Sequence, residues 1–378
     1  MGEKPNPYEA FRSAVDGKNI LVTGGTGTVG YELIKALLSL SPGVVRVFSR
    51  DEQKQFYLRE EFRHFEKQVR FLIGDVRDRP RLDRALENVD IVFHLAALKH
   101  VESCEYNPFE AIKTNINGTQ HLIDAALMHD IETVIFTSSD KAVNPSNAMG
   151  ASKLMAEKLM VAGNFHKGRK RTRFCSVRFG NVLGSSGSVI PTFVNRIRLG
   201  LPIEITHRDM TRFVISFREA NELLLTTLRD GVGGEIFVRK MPVVRIFDLA
   251  EVLIAETAKM YDLSPVPTRE IGVRAGEKLY EELVTEEESA RTFDIGDYLV
   301  ILPQLGGAWP EPADATPLHI GSYSSRSEDA VSAADVLKIL ESDGTLRNPN
   351  LLHGVRATQP LQPGDLFAGD FMESVNAG

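Results

Sequence analysis

The chain reads Thr23-Gly24-Gly25-Thr26-Gly27-Thr28-Val29-Gly30 between an apolar run at residues 19–23 and a helical pattern at 29–39. The glycines at 25, 27 and 30 follow the G-x-G-x-x-G spacing, in the strand–turn–helix context that this signature requires. Glycines allow a tight turn and let backbone N–H groups at a helix N-terminus approach a pyrophosphate. The stretch therefore predicts a dinucleotide site at the first strand of a parallel sheet. An ordinary tight turn between strand and helix is the alternative interpretation.

Strand-like and helix-like segments alternate from residue 19 to residue 180. The strand-like runs, which are short and rich in β-branched residues, lie at 19–23, 44–49, 69–73, 90–95, 133–138 and 173–178. The helical patterns between them include 29–39, 51–65, 111–129 and 147–162. Such alternation is typical of an α/β fold with a doubly wound parallel sheet. We therefore expect a Rossmann domain at 19–180, preceded by an N-terminal extension at 1–18.

The alternation stops after Gly180. Loops then separate isolated helical patterns at 190–199, 217–228 and 246–261. This predicts a smaller lobe at 181–303 that closes over the carboxyl edge of the sheet, with some chain returning to the sheet. Residues 304–378 are expected to form a C-terminal extension with a loop at 306–317, one late helix at 332–341 and an irregular tail from 348.

Composition excludes several classes of protein. The 378 residues carry a net charge of -7, which gives no reason to expect nucleic acid. Cys104 and Cys175 are the two cysteines and have no paired spacing, so neither disulfides nor a metal site is expected. The N-terminus lacks a signal pattern, and no apolar run approaches the ~20 residues that span a bilayer. We expect a cytoplasmic protein without membrane insertion.

The end of the second strand-like run bears on which dinucleotide is bound. An NAD site usually places an acid there, whereas the 2′-phosphate of NADP requires a basic group. Ser49 stands at the position of the acid, and Arg50 and Lys54, one helical turn apart, could both bind a phosphate. We therefore expect NADP rather than NAD. The alternative is a solvated helix start in which Asp51 binds the ribose.

Further cofactor contacts are expected where the first, third and fourth strands end, because ligands of open α/β sheets bind at the carboxyl ends of the strands. The candidate residues are Gly24, Thr26, Gly27, Thr28, Val29, Gly30, Asp75, Val76, Ala96 and Ala97.

A group of reactive side chains follows the fifth strand-like run, where the chain reads Ser138-Ser139-Asp140-Lys141 and then Met149-Gly150-Ala151-Ser152-Lys153. Asp140 and Lys141 offer an acid–base pair, and Lys153 shares a helical face with Met149. Nicotinamide-dependent enzymes that modify sugars commonly carry Tyr at the Met149 position, whereas a thioether has no titratable proton. The simpler interpretations are a surface ion pair for Asp140 and Lys141, and apolar packing for Met149.

With these pieces in order, the chain resembles the extended short-chain dehydrogenases/reductases and, among them, the UDP-N-acetylglucosamine 4,6-dehydratases of capsule, flagellin-glycan and bacillosamine-type pathways. The resemblance covers residues 18–340. It rests on Leu98-Lys99-His100-Val101, Glu105-Tyr106-Asn107-Pro108, Thr114-Asn115, Ser139-Asp140-Lys141-Ala142-Val143-Asn144-Pro145, Phe179-Gly180-Asn181-Val182-Leu183-Gly184-Ser185, Met210-Thr211-Arg212-Phe213 and Gly276-Glu277-Lys278-Leu279.

Two positions refine the resemblance. Ordinary sugar 4,6-dehydratases carry Asp-Glu where this chain has Asp140-Lys141, and the Lys form marks the N-acetylglucosamine group. Met149 occurs in part of this family, notably in membrane-anchored members. Because this chain lacks their transmembrane region, we expect a free-standing catalytic domain.

The resemblance implies oxidation of C4 of the sugar, loss of water across C5 and C6, and return of the hydride to C6. Lys141 is the implied base at C5, with a pKa that burial beside the oxidised cofactor would depress, and Asp140 is the implied acid at C6. Lys153 would orient the nicotinamide ribose and favour loss of the C4 hydroxyl proton. Because Met149 cannot accept that proton, Asp140 or a water near Lys153 must take it. An ionised Asp140 that accepts the proton at C4 and donates it at C6 is our hypothesis.

The substrate implied by the resemblance is a UDP-sugar. The candidate substrate residues are Lys99, Ser139, Asn181, Arg212, Arg274 and Glu277. A homo-oligomer is also expected. Two other functions stay open, namely a UDP-sugar epimerase or reductase on the same fold, and a non-catalytic NADP-binding sensor.

Overall fold

The computed structural model describes residues 5–274, 276–305, 309–312, 315–318, 321–342 and 344–347. The predicted irregular tail from 348, and parts of the predicted loop at 306–317, lie outside these residues.

The described strands include six short parallel strands in the first half of the chain and shorter strands after residue 180. They are β1 (Asn19–Thr23), β2 (Val44–Ser49), β3 (Val69–Ile73), β4 (Ile91–His94), β5 (Thr133–Thr137), β6 (Arg173–Arg178), β7 (Asn181–Val182), β8 (Ile203–Ile205), β9 (Thr211–Ile215), β10 (Ile236–Arg239), β11 (Val243–Arg245), β12 (Thr268–Glu270), β13 (Glu282–Val284), β14 (Thr292–Asp294), β15 (Tyr298–Ile301), β16 (Thr316–Pro317) and β17 (Tyr323–Ser324).

The α-helices alternate with the strands. They are α1 (Arg12–Val15), α2 (Thr28–Leu38), α3 (Glu52–Glu61), α4 (Arg79–Leu86), α5 (Val101–Tyr106), α6 (Pro108–Ala111), α7 (Gly118–Met128), α8 (Ala148–His166), α9 (Val189–Arg198), α10 (Phe217–Asp230), α11 (Ile246–Tyr261), α12 (Glu286–Ser289) and α13 (Ala333–Ser342).

Among the described residues, ten strands form one sheet in the order β16-β14-β15-β10-β6-β5-β4-β1-β2-β3. From β3 to β10 every neighbouring pair is parallel, and β15, β14 and β16 extend the sheet as antiparallel strands. This order has the reversal between β1 and β4 that opens a crevice at the carboxyl ends of the strands. The predicted α/β fold with a doubly wound parallel sheet is confirmed.

The sheet is buried on both faces, which explains why its strands read as apolar runs. All five residues of β5 are buried. On one face α2 and α10 bury Leu33 and Leu224, and on the other α4, α7 and α8 bury Leu82, Leu122 and Ala156.

Several element bounds differ from the sequence patterns. The pattern at 51–65 is a shorter helix, α3, followed by a 3-10 turn at Arg63–Phe65. The Asp51 side chain caps the start of α3 by accepting a hydrogen bond from the Lys54 N–H. The pattern at 111–129 contains a π-helical segment at Ile112–Asn117 that joins α6 to α7.

The segment after residue 180 divides between a small lobe and the main sheet. The lobe holds the three-stranded sheet β11-β9-β7 and the pair β12-β8, with α9, α11 and α13 packed together around Phe193 and Leu253. Strands β10, β14 and β15 return to the main sheet. The domain boundaries themselves stay predictions.

Candidate active site

A cleft of about 680 Å³ lies at the carboxyl ends of the parallel strands. Its volume is within the usual range for ligand sites. Among the described residues its walls comprise residues 24, 26–30, 48–51, 54, 74–76, 95–100, 114, 137–139, 141, 149, 153, 179–182, 185, 187 and 188. Every predicted cofactor residue is among them.

The turn between β1 and α2 is shaped for a close backbone approach. Gly24 has φ +69°, and a Cβ atom on it would lie 2.7 Å from the backbone nitrogen of Ala96. A Cβ atom on Gly30 would lie 2.6 Å from Gly25 Cα. Helix α2 begins at Thr28 without a capping side chain, so its first N–H groups stay available to an anion in the cleft. This cradle fits a pyrophosphate.

Two cations line the cleft at the end of β2. The Arg50 side chain is 59% exposed, and its Nη1 atom lies 3.9 Å from Asp75 Oδ2. Lys54 Nζ lies 3.4 Å from Asp51 Oδ2. Burial alone would raise the pKa of Asp75, but Arg77, which donates to it at 2.7 Å, and Arg50 hold that pKa below its usual value. The arrangement leaves both predicted phosphate ligands accessible.

Lys153 projects from α8 into the floor of the cleft. Its Nζ atom donates to the backbone oxygen of Thr137 at 2.8 Å and lies 4.6 Å from the centre of the Phe136 ring. Burial lowers the pKa of Lys153 to about 8, although Glu157 and Cys104 act in the opposite direction. The ammonium therefore loses its charge as the pH rises through about 8.

Asp140 and Lys141 form an ion pair directly after β5. Lys141 Nζ lies 2.9 Å from Asp140 Oδ1, which also accepts a 2.6 Å hydrogen bond from the Ser139 hydroxyl. Asp140 is fully buried, and Asp140 Oδ2 has no hydrogen-bond partner among the described residues. Ser139 and Lys141 line the cleft, whereas Asp140 lies behind them. The interpretation as a surface ion pair is therefore wrong.

The pKa of Lys141 differs from the expectation. Burial would depress it, but the negative charges of Asp140 and Glu281 outweigh burial, so the pKa of Lys141 is raised. The prediction of a depressed pKa was wrong because two carboxylates face the ammonium. One is Asp140, and the other, which sequence did not show, is Glu281, whose Oε1 atom lies 3.7 Å from Lys141 Nζ. As the pair stands, Lys141 holds a proton and needs a change in its surroundings to act as a base.

Met149 lies on the cleft wall and is also packed. Its side chain is 3% exposed and belongs to a small apolar cluster with Cys104 and Ala111, against which Leu98 and Val101 pack. Met149 thus packs in the apolar cluster and also lines the cleft.

The loop around Ser186 closes over the glycine-rich turn. The Thr28 hydroxyl donates to Ser186 Oγ at 3.0 Å and accepts from the Ser186 N–H at 3.1 Å. Lys99 Nζ donates to the backbone oxygen of Ser186 at 2.6 Å. Burial, together with the charge of Lys54, lowers the pKa of Lys99. Asn181, the next predicted substrate residue, lines the same cleft.

Three predicted substrate residues are not among the described residues of the cleft wall. Arg212 is buried and donates to the backbone oxygens of Thr211, Lys278 and Leu279, so it supports the chain rather than facing the cleft. The other two predicted residues are Arg274 and Glu277. Arg274 Nη1 lies 3.1 Å from Glu102 Oε1, and the Glu277 side chain accepts a hydrogen bond from the Thr206 hydroxyl at 3.1 Å.

Comparison with known proteins places this geometry in a family. The family model described as "Polysaccharide biosynthesis protein" matches residues 20–303. The chain belongs to this family. Within the family, a UDP-N-acetylglucosamine 4,6-dehydratase (inverting) of Campylobacter jejuni is 43% identical over 292 residues, which are 77% of this chain and 84% of that protein. The predicted relationship to these dehydratases is confirmed, whereas the role of Met149 stays a prediction.

Other family members carry different descriptions. An uncharacterized membrane protein of Methanocaldococcus jannaschii is 51% identical over 326 residues, covering 86% of this chain and 95% of that protein. A UDP-glucose 4-epimerase of Rickettsia bellii is 40% identical over 319 residues, covering 83% and 89%. The solved structure of Pen from Bacillus thuringiensis superposes with a TM-score of 0.83 at 44% identity, covering 87% of this chain and 98% of that one.

The Methanocaldococcus jannaschii relative is described as a membrane protein, so the helices of this chain bear on its own cellular location. No helix in the described part of this chain has the length and apolarity to cross a membrane. The expectation of a cytoplasmic protein stays a prediction.

Glu281 is the site residue that sequence reasoning missed. It follows the Gly-Glu-Lys-Leu motif at 276–279 by two residues, so the motif marked the segment but not the side chain. A signal existed in the paired acids Glu281 and Glu282, but only the fold shows which of the two faces Lys141.

Proposed function

We propose that the protein is an NADP-dependent nucleotide-sugar 4,6-dehydratase that acts on UDP-N-acetylglucosamine. The observation that carries this proposal is the buried Asp140 paired with Lys141 at the wall of a dinucleotide-shaped cleft that also holds Lys153. The 43% identity to a UDP-N-acetylglucosamine 4,6-dehydratase supports the substrate.

The residues of the cleft fit the cofactor. The turn at residues 24–30 would hold the pyrophosphate, Arg50 and Lys54 the 2′-phosphate, and Asp75 and Val76 would frame the adenosine. When bound, the nicotinamide would accept a hydride from C4 of the sugar and return one to C6. Lys153 would orient the nicotinamide ribose, and its charge would favour loss of the C4 hydroxyl proton.

The route of the C4 proton follows from burial. Asp140 cannot meet the sugar directly because it lies behind the cleft wall, whereas the Ser139 hydroxyl lies on that wall and is bonded to Asp140 Oδ1. Ser139 therefore passes the proton to Asp140 as it takes one from the C4 hydroxyl. Asp140, now neutral, later returns the proton through the Ser139 hydroxyl to the C6 hydroxyl, which leaves as water.

The same transfer prepares Lys141. The negative charge of Asp140 is one of the two that raise the pKa of Lys141 against the effect of burial. When Asp140 becomes neutral, one of the two charges that oppose burial is lost and the pKa of Lys141 falls. Lys141 can then give up its ammonium proton, and the free amine removes the C5 proton, which is acidic only after C4 has become a carbonyl.

For the sugar nucleotide, Lys99 and Asn181 are the candidate ligands that line the cleft. Arg212, Arg274 and Glu277 stay candidate ligands of the diphosphate, although they are not among the described residues of the cleft wall. A homo-oligomer is part of the proposal and is supported by Tyr106 and Phe109, which are 88% and 63% exposed on adjoining helices.

A 4-epimerase is the second candidate, and the Rickettsia bellii relative favours it. An epimerase would also oxidise C4 but would return the hydride to C4, so C5 and C6 would stay unchanged. The Asp140–Lys141 pair would then have no proton to move at C5.

The experiment is turnover of the full chain with UDP-N-acetylglucosamine and substoichiometric NADP, followed by mass spectrometry. The proposal predicts a product that has lost one water, with no accumulation of NADPH. A product of unchanged mass and inverted C4 would establish the epimerase. Stoichiometric NADPH would indicate a simple dehydrogenase.

A further inference from the structure

A second carboxylate reaches Lys141 from the C-terminal part of the chain. Glu281 Oε1 lies 3.7 Å from Lys141 Nζ, and the Glu281 side chain is 4% exposed. Its other oxygen, Oε2, is buried and has no hydrogen-bond partner among the described residues. Lys141 thus stands between two carboxylates, Asp140 at 2.9 Å and Glu281.

The position of Glu281 does not depend on this ion pair. Its backbone N–H donates to Ser325 Oγ at 3.0 Å, and its backbone oxygen accepts from the Ser325 N–H at 2.8 Å. These two backbone hydrogen bonds fix the segment without help from the Glu281 side chain. The segment in turn places that side chain beside Lys141.

The charges around Glu281 favour proton uptake. The groups that face it are Asp140, Lys141, Arg212 and Lys278. Burial and, while it is ionised, Asp140 raise the pKa of Glu281 despite the three cations, and burial still favours proton uptake once Asp140 is neutral. Among those cations Arg212 Nε lies 3.9 Å away but does not release a proton, so Lys141 is the near donor.

We propose that Glu281 is a positioning residue that takes the ammonium proton of Lys141 and thereby frees the Lys141 amine to act on C5. This inference rests on the proposed dehydratase function. A proton passes from Lys141 Nζ to a Glu281 oxygen. The amine lone pair of Lys141 then takes the C5 proton, the C5–H electrons form the C5–C6 double bond, and the C6–O bond breaks. The hydroxyl leaves as water with the proton of Asp140.

Internal transfer has a consequence for pH dependence. While the proton moves between Lys141 and Glu281, the fraction of active amine does not depend on the pH of the solvent. Without Glu281, the proton must leave to solvent, so the rate of C5 proton removal should rise about tenfold per pH unit. A role restricted to holding the fold would lower the rate equally at all pH values.

The test is the single-turnover rate of C5 deuterium uptake from deuterated water, with UDP-N-acetylglucosamine and bound NADP, at several pH values below about 8, where Lys153 keeps its charge. In the wild type this rate should be flat. Glu281→Gln should be slower on the order of 10²-fold at neutral pH and should rise with pH. Glu281→Asp keeps a proton acceptor and should restore the flat profile.

Glu282→Gln is the matched control. Glu282 is the next residue and accepts from Asn144 near the surface at 2.7 Å, so its variant should keep the wild-type profile. A flat profile in Glu281→Gln would overturn the inference while leaving the dehydratase intact. If the wild type takes up no deuterium at C5 and releases no water, the proposed function fails and the inference falls with it.

Discussion

The Ser139 hydroxyl donates a 2.6 Å hydrogen bond to Asp140 Oδ1, and of the two residues only Ser139 lines the cleft. The carboxylate that would store the C4 proton is thus reached through a hydroxyl. The hypothesis of an Asp140 relay between C4 and C6 therefore includes Ser139 as the intermediate group.

Replacing Ser139 with Ala should slow oxidation of C4 on the order of 10²-fold, because the proton then lacks its path to Asp140. Ser139→Thr keeps the hydroxyl and is the control. Stopped-flow absorbance of the reduced nicotinamide measures the step. Oxidation at the wild-type rate in Ser139→Ala would point to a water near Lys153 instead.

A tyrosine at position 149 should supply the proton acceptor that the methionine lacks. Asp140→Asn should slow C4 oxidation, and Met149→Tyr in the same chain should restore part of the lost rate. Because Met149 is packed against Cys104 and Ala111, the larger ring should cost about 1–3 kcal/mol of stability, visible as a lower Tm. If the double variant folds but oxidises no faster than Asp140→Asn, the phenol is not interchangeable with the Asp140 route.

The charge of Lys153 should set an alkaline limit. A lysine is charged below its pKa, and burial lowers the pKa of Lys153 to about 8. The value of kcat/KM should therefore be full below that pH and fall as pH rises through it. Lys153→Arg keeps its charge, so whatever activity it retains should persist to higher pH. An unchanged limit in Lys153→Arg would assign it to another group.

Arg50 should determine the preference for NADP. Loss of a charge-assisted hydrogen bond to the 2′-phosphate is worth about 1.5–3 kcal/mol, so Arg50→Ala should weaken NADP binding roughly 10- to 100-fold and leave NAD nearly unchanged. Arg59→Ala removes an equal charge from α3 at a residue outside the described cleft wall and is the control. Calorimetry that gives equal affinities for NADP and NAD in the wild type would contradict the assignment.

The strands of the sheet could be predicted from sequence because strands that are buried on both faces consist mostly of apolar residues, as β5 does. Helix α4 was not predicted, since its sequence, RPRLDRAL, buries little beyond Leu82, Ala85 and Leu86. The π-helical segment at Ile112–Asn117 also has no sequence signal that we recognise.

Sequence could predict those parts of the candidate site that lie at a single strand end or in the glycine-rich turn. Asp140, Lys141 and Lys153 follow a single strand and helix, so their neighbourhood follows from local order. Glu281 lies 140 positions after Lys141 and reaches it only through packing of the C-terminal part against the sheet. That long-range contact adds to the larger effect of Asp140 in raising the pKa of Lys141, so the sequence showed only part of the charge around the ammonium.

The most direct measurement is NMR of the product formed from UDP-N-acetylglucosamine in deuterated water by the wild type and by Lys141→Ala. The account predicts that the wild-type product is a 4-keto-6-deoxy sugar with deuterium at C5 and with the original C4 hydrogen at C6. Lys141→Ala should oxidise C4 but stop before water is lost, so the 4-keto sugar and NADPH should accumulate on the enzyme. A product that keeps its C6 hydroxyl and carries protium at C5, or full dehydratase turnover by Lys141→Ala, would contradict it.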